Sequence, residues 1–150
     1  MTSTPTKLPK LYSMHSIGVA TFFCSLLAGG YLLYANYKAL GMRKLAYYTL
    51  AASVLVFLFL MVAMSIYIDG TASAPDELPQ LSITLSLTAA VAQAIIAVLA
   101  TQSLQGAMFS TFNEMRGPYH STWHAFFVGL CAAFVLSLPL TRFVAALAQF

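Results

Sequence analysis

Four apolar stretches fill most of this 150-residue chain, and their central parts carry no charged residue. In water they would have nothing polar to turn outward. In lipid they need only satisfy their own backbone, which a single segment achieves as an α-helix. The stretches fall at 17–37, 45–68, 81–99 and 125–140, the last with room to run on toward the C-terminus. At 1.5 Å per residue, about 20 residues cross a hydrocarbon layer of about 30 Å.

Composition agrees. The chain is 60% hydrophobic and 7% charged, against about 25% charged in a soluble domain. The expected fold is all-α and integral to the membrane. It is a single domain over 1–150, an antiparallel four-transmembrane-helix bundle behind a polar tail at 1–15. The first stretch is too long for a signal-peptide core, and no small-residue cleavage site follows it, so it reads as a retained span. Short tails and loops leave no room for a soluble catalytic domain. The net charge of +3 is small. Its basic residues flank the spans, which points to lipid headgroups and away from nucleic acid.

The connections differ. Residues 38–44 are basic and contain Gly41, which makes a tight turn between the first two spans. Residues 69–80 are acidic, with Gly70, Pro75 and Pro79. Within 101–124, Leu104, Met108, Phe109, Phe112 and Met115 fall near helical spacing, which predicts a short interfacial helix before the last span. Gly117-Pro118 then breaks it. Residues 81–88 alternate like a strand, but the apolar run continues and a lone strand cannot span lipid. Pro139 is expected to kink or end the last helix.

With four spans, one face carries Lys7, Lys10 and Arg142 and the other Lys38, Arg43, Lys44 and Arg116. Lysine and arginine set orientation. The near-even split tilts toward both termini outside, because Lys38, Arg43 and Lys44 are tightly grouped.

Candidate sites are few. Gln93 lies mid-span, where a buried amide seeks an interhelical partner worth about 1 kcal/mol or marks a functional point. Small residues recur every four positions: Ala20, Cys24 and Ala28, with Ser25 and Gly29 beside them; Ser86, Ala90 and Ala94; and Ala125, Gly129, Ala133 and Ser137. Such rows let helices approach closely, within the bundle or against a partner. Ser82, Thr84, Ser86 and Thr88 either line a wet cavity or bond back to carbonyls one turn earlier. His120 and His124 share a helical face, but with Glu114 as the only nearby acid and His15 across the membrane they do not complete a zinc site. No metal or cofactor is expected. Cys24 and Cys131 enter from opposite faces of a four-span bundle. That leaves them roughly 11 Å apart in depth, beyond the ~7 Å limit of a disulfide.

Ala20-Thr21-Phe22, Leu27-Ala28-Gly29-Gly30-Tyr31-Leu32-Leu33 and Asn36-Tyr37-Lys38-Ala39-Leu40-Gly41 resemble the opening of a group of small bacterial inner-membrane proteins with no assigned activity. Ser121-Thr122-Trp123 leading into Val128-Gly129-Leu130 is similar to the start of their last span. Together these cover about a third of the chain. The resemblance implies small residues followed by proline where Cys24 and Ser25 stand, and no proline follows here. It implies a multi-pass protein of the bacterial inner membrane.

Two functions fit. The first is a non-catalytic interaction protein, such as an immunity protein that neutralises a membrane-acting antibacterial toxin by helix–helix contact. The second is a subunit of a small homo-oligomeric transporter or channel, similar in size to four-span multidrug exporters. Those carry a membrane-embedded carboxylate in their first span, and this chain has none there. An enzyme is not expected, because no nucleophile, base and third group share a depth.

Overall fold

The computed structural model describes residues 8–71 and 78–147, and within these the side chains other than those at 65, 68–71, 78–82 and 143–147. It is helical, with helices α1 (Met14–Cys24), α2 (Leu26–Ala39), α3 (Arg43–Thr71), α4 (Leu78–Glu114) and α5 (Thr122–Leu147). Three of them, α3, α4 and α5, are long and apolar enough to cross a membrane.

The expected first span is not one straight helix. It breaks at Ser25, whose backbone turns to φ 117° and ψ 169°, and the chain folds back on itself. Asn36 hydrogen-bonds both backbone groups of Tyr12, although a continuous helix would separate them by about 36 Å. A Cβ at Gly29 would collide with the Thr21 hydroxyl, so α1 and α2 run antiparallel in close contact. The arms measure about 16 and 21 Å, too short to cross about 30 Å of hydrocarbon. The break itself is local. Ser25 N–H closes α1 on Thr21, and Ser25 C=O accepts from Ala28 and Gly29 to open α2.

This hairpin is the centre of the molecule. Both arms pack on α5, both meet α4, and α2 lies along α3. Small residues make the contacts. A Cβ on Gly129 of α5 would sit 3.2 Å from both Ala20 and Ala28, one on each arm. On α2, Gly30 leaves no room for a side chain against Ser53 of α3.

Two Schellman turns set the mouth of the hairpin. After α2, Gly41 at φ 79° lets Met42 N–H reach Tyr37 C=O and Gly41 N–H reach Lys38 C=O. After α4, Arg116 at φ 52° plays the same part, with Gly117 bonded to Phe112 and Arg116 to Asn113.

The separate interfacial helix is absent among the described residues. Its positions form the last part of α4, which runs unbroken for 37 residues, about 55 Å. The run Thr101-Gln102-Ser103 looks like a helix end but contains no breaker. Thr101 and Gln105 are buried against the hairpin, while Gln102 and Ser103 face outward. The alternating segment at 81–88 is also helical, within α4, and α5 passes through Pro139 to Leu147.

Candidate functional site

The polar groups that the fold brings together lie along one seam, where α4 faces the hairpin. Gln93, Ala97, Thr101 and Gln105 recur every four residues and so share one face of α4. Ala97, Thr101 and Gln105 are buried. Thr101 bonds back to Ala97 C=O, and on the opposing arm Thr21 bonds back to Ile17 C=O. Their hydroxyls are thus satisfied within their own helices.

At the deep end of the seam, Gln93 Oε1 accepts the Leu26 N–H at 2.9 Å. That donor begins α2 and has no carbonyl of its own helix to reach. Gln93 therefore caps a backbone group at the hairpin tip, far from the mouth. Its ring of neighbours on the other side is apolar: Phe57, Leu60, Met61 and Met64 of α3 with Ala89 and Ala92 form a crevice of about 410 Å³.

At the shallow end, Asn36 is 1% exposed and fully used. Its Oδ1 accepts Tyr12 N–H at 2.7 Å, and its Nδ2 donates to Tyr12 C=O at 2.9 Å and to Gln105 Oε1 at 3.3 Å. Gln105 Nε2 donates in turn to Leu33 C=O at 3.4 Å, and the Tyr37 hydroxyl donates to Leu104 C=O at 3.0 Å. This cluster pins residues 8–13, a strap across the mouth. Leu11 N–H bonds to Pro118 C=O and His120 N–H to Leu11 C=O. The strap is thereby paired as a short parallel bridge with the α4–α5 connection.

Tyr12 closes the mouth with its ring, stacked on His120 with centroids 4.6 Å apart. His120 and His124 stack on each other at 4.7 Å, and the Tyr12 hydroxyl lies 3.4 Å from His124 Nδ1. Burial, then His124, then Lys10 hold the His120 pKa below its usual value. Burial and the neighbouring Tyr31 push the Tyr12 phenol up. Nearby, Ser13 caps α1 through Ser16 N–H, and Ser16 meets Thr122 at 3.2 Å.

The sequence candidates fall differently from their expected rows. Ala20, Cys24 and Ala28 do not form a stripe on one helix. The hairpin folds Ala20 against Ala28 around Gly129, and Ala133 is buried further along α5. Gly29 faces Thr21 and Ala97. Of the α4 row, Ser86 is exposed, while Ala90 and Ala94 are half-buried. Ala94 lines an open groove with Gly18, Phe22 and Val98. Thr88 bonds back to Thr84 C=O, while the Ser82 side chain lies outside the described residues.

Two expectations change with the hairpin. His15 lies at the same end of the bundle as His120 and His124, exposed beside the groove. Cys24 and Cys131 lie at similar depth, about 15 and 13.5 Å along their helices from the mouth. Both are nevertheless free thiols. Cys24 faces the Phe126 carbonyl, and Cys131 faces Tyr31, Tyr34 and Leu50. Among the described residues no group of three or more metal-ligating side chains forms.

Asn36, Gln105 and Tyr12 were not singled out by sequence. The available signal was the four-residue repeat from Gln93 to Gln105, hidden because 101–124 reads as a loop. Comparison with family models, with curated proteins and with solved structures finds no match to this chain.

Proposed function

We propose that this chain is a non-catalytic, multi-pass protein of the bacterial inner membrane that acts by helix–helix contact with another membrane protein. The observation that carries this reading is the division of labour among its helices. The hairpin uses up the internal contacts, and its buried polar side chains are satisfied. In the most apolar windows of α3 and α4 only 6% of residues are buried. Each of those two helices keeps one face on the hairpin and turns the other outward, where a transmembrane partner can pack. The concrete version is an immunity protein that neutralises a membrane-acting antibacterial toxin. Co-expression with a depolarising protein encoded beside it is the test. Preserved membrane potential supports the reading, and unaltered depolarisation refutes it.

A second reading, a subunit of a homo-oligomeric channel or transporter, is favoured by one feature. Two short helices meet at depth with non-helical backbone between them, an arrangement that recurs in transport proteins. The sequence offers no proton-coupling carboxylate there, since its four acidic residues are Asp69, Asp76, Glu77 and Glu114. Solute flux in proteoliposomes separates the two readings.

The hairpin also supports an orientation. With α1 and α2 folded back, Lys10, Lys38, Arg43, Lys44 and Arg116 share the mouth face, and Arg142 is alone at the far end of α5. Lys7 adjoins Lys10 in sequence. The near tie becomes a strong bias, which favours a cytoplasmic mouth. The N-terminus is then inside and the C-terminus outside. A C-terminal alkaline phosphatase fusion should be active and an N-terminal one inactive; the reverse pattern refutes this orientation.

A further inference from the structure

We propose that the stacked pair His120–His124 is a pH-sensitive latch that holds the strap at residues 8–13 over the hairpin mouth and releases it in acid. The geometry disfavours charge on both rings. They lie nearly parallel, 11° apart, with centroids at 4.7 Å, and the Tyr12 ring packs on both, at 4.6 and 5.9 Å. The Tyr12 hydroxyl can donate to His124 Nδ1 only while that nitrogen is unprotonated. A proton there reverses the bond, with His124 Nδ1–H donating to the Tyr12 oxygen, so release rests on the charge placed in the stack. A second proton on His120 puts two like charges face to face, with Lys10 adding a third.

The groups facing the pair offer no compensation. The strap contributes Lys10 and Tyr12, and α2 contributes Tyr31, which acts through Tyr12. On α1, His15 lies exposed, lining the groove toward Val98 and Leu99. From α4, Phe109 and Phe112 pack on Tyr119 instead. Among the described residues no carboxylate pairs with either imidazole. Histidine titrates near pH 6.5, so the latch changes state within an ordinary range of compartment pH.

Release has a defined consequence. The strap is held by the Leu11 pairing with Pro118 and His120, by Asn36 and by the ring stack. The first and last of these depend directly on where His120 sits. Separating the histidines therefore uncovers Leu11, which is fully buried, and the Asn36–Gln105 cluster beneath it.

The test uses the full chain in detergent micelles, with a nitroxide on Lys10→Cys in a Cys24→Ala, Cys131→Ala background. Between pH 7.5 and 5.0 the mobile spectral fraction should rise at least tenfold. In His120→Gln, His124→Gln it should stay low at both values. A mobile fraction that does not change with pH, or that rises equally in the double glutamine variant, overturns the latch. A second measurement needs no substitution. In ring-labelled protein the three histidines can be followed by NMR. The His120 ring should titrate below the ordinary histidine range, in step with loss of its ring contact to Tyr12. A His120 ring that titrates in the ordinary range, or without loss of that contact, overturns the proposal.

Discussion

Asn36→Leu is the sharpest test of the hairpin. The side chain of Asn36 holds both backbone groups of Tyr12, at 2.7 and 2.9 Å, and reaches Gln105 at 3.3 Å. Leucine keeps the branched shape but is bulkier, so some overpacking adds to the loss of partners for the Tyr12 N–H and C=O. Leaving a buried polar group unpaired costs about 1–3 kcal/mol. Two such groups set a ceiling near 6 kcal/mol, and rehydration at the mouth brings the expected cost to about 2–4 kcal/mol. That is about a 30- to 700-fold shift in the folding equilibrium. Gln105→Leu removes two long bonds, at 3.3 and 3.4 Å, and a contact to the Tyr37 hydroxyl, and should cost about 1 kcal/mol. Reversible unfolding in mixed detergent–SDS micelles, read by Trp123 fluorescence, gives both numbers. A cost below about 0.5 kcal/mol for Asn36→Leu, or one smaller than for Gln105→Leu, would show that α1 and α2 are not held together at Tyr12.

Three further outcomes follow from single sites. Ser25 occupies a backbone region reserved for glycine, so Ser25→Gly should stabilise by about 1 kcal/mol in the same unfolding assay, the relief of strain exceeding glycine's entropic cost. Gly129→Leu drives a side chain between Ala20 and Ala28 and should destabilise by at least about 1–3 kcal/mol, as overpacking does. The His120 pKa is lowered in the folded state, so folding favours the neutral ring. Its stabilising effect is present above the unfolded pKa near 6.5 and is lost as pH falls through the lower folded value. Thermal midpoints should decline from pH 7.5 to 5.0, and His120→Gln should flatten that decline.

The sequence made the solvent and the helical class legible, because three of the apolar stretches appear as helices able to cross a membrane. It did not reveal the hairpin. The stretch 17–37 has the length of a span, and its turn uses Ser25 where a proline or glycine would have announced a break. Hydropathy counts length and ignores direction. Folding back costs nothing in composition, and contacts such as Asn36 with Tyr12 and Gly29 with Thr21 are what expose it. The same blindness extends to the charges, since the fold-back brings Lys10 to the same end of the bundle as Lys38 and Arg116. The small residues were recognisable as packing positions. Their partners were not, because Ala20 and Ala28 become neighbours only after the chain reverses.

The tip of the hairpin joins these threads in one experiment. Leu26 opens α2, and its N–H needs an acceptor that Gln93 alone supplies among the described residues. A proline at that first helical position would have no N–H to satisfy and would already hold a helical φ. Ser25, with ψ 169°, lies outside the α region that a following proline disfavours. Proline at the tip and glutamine on α4 are thus two solutions to one problem. Gln93→Leu should cost about 1–2 kcal/mol in the natural background, near the upper end of interhelical hydrogen bonds in lipid. In Leu26→Pro the same change should cost under about 0.5 kcal/mol, because the donor is gone. Leu26→Pro also removes a buried side chain, but that loss is common to both arms of the cycle and cancels. A coupling energy near 1 kcal/mol ties Gln93 to the Leu26 backbone. A coupling within about 0.3 kcal/mol of zero would mean that Gln93 acts elsewhere, on the α3 side of its crevice, and that the tip is satisfied by another route.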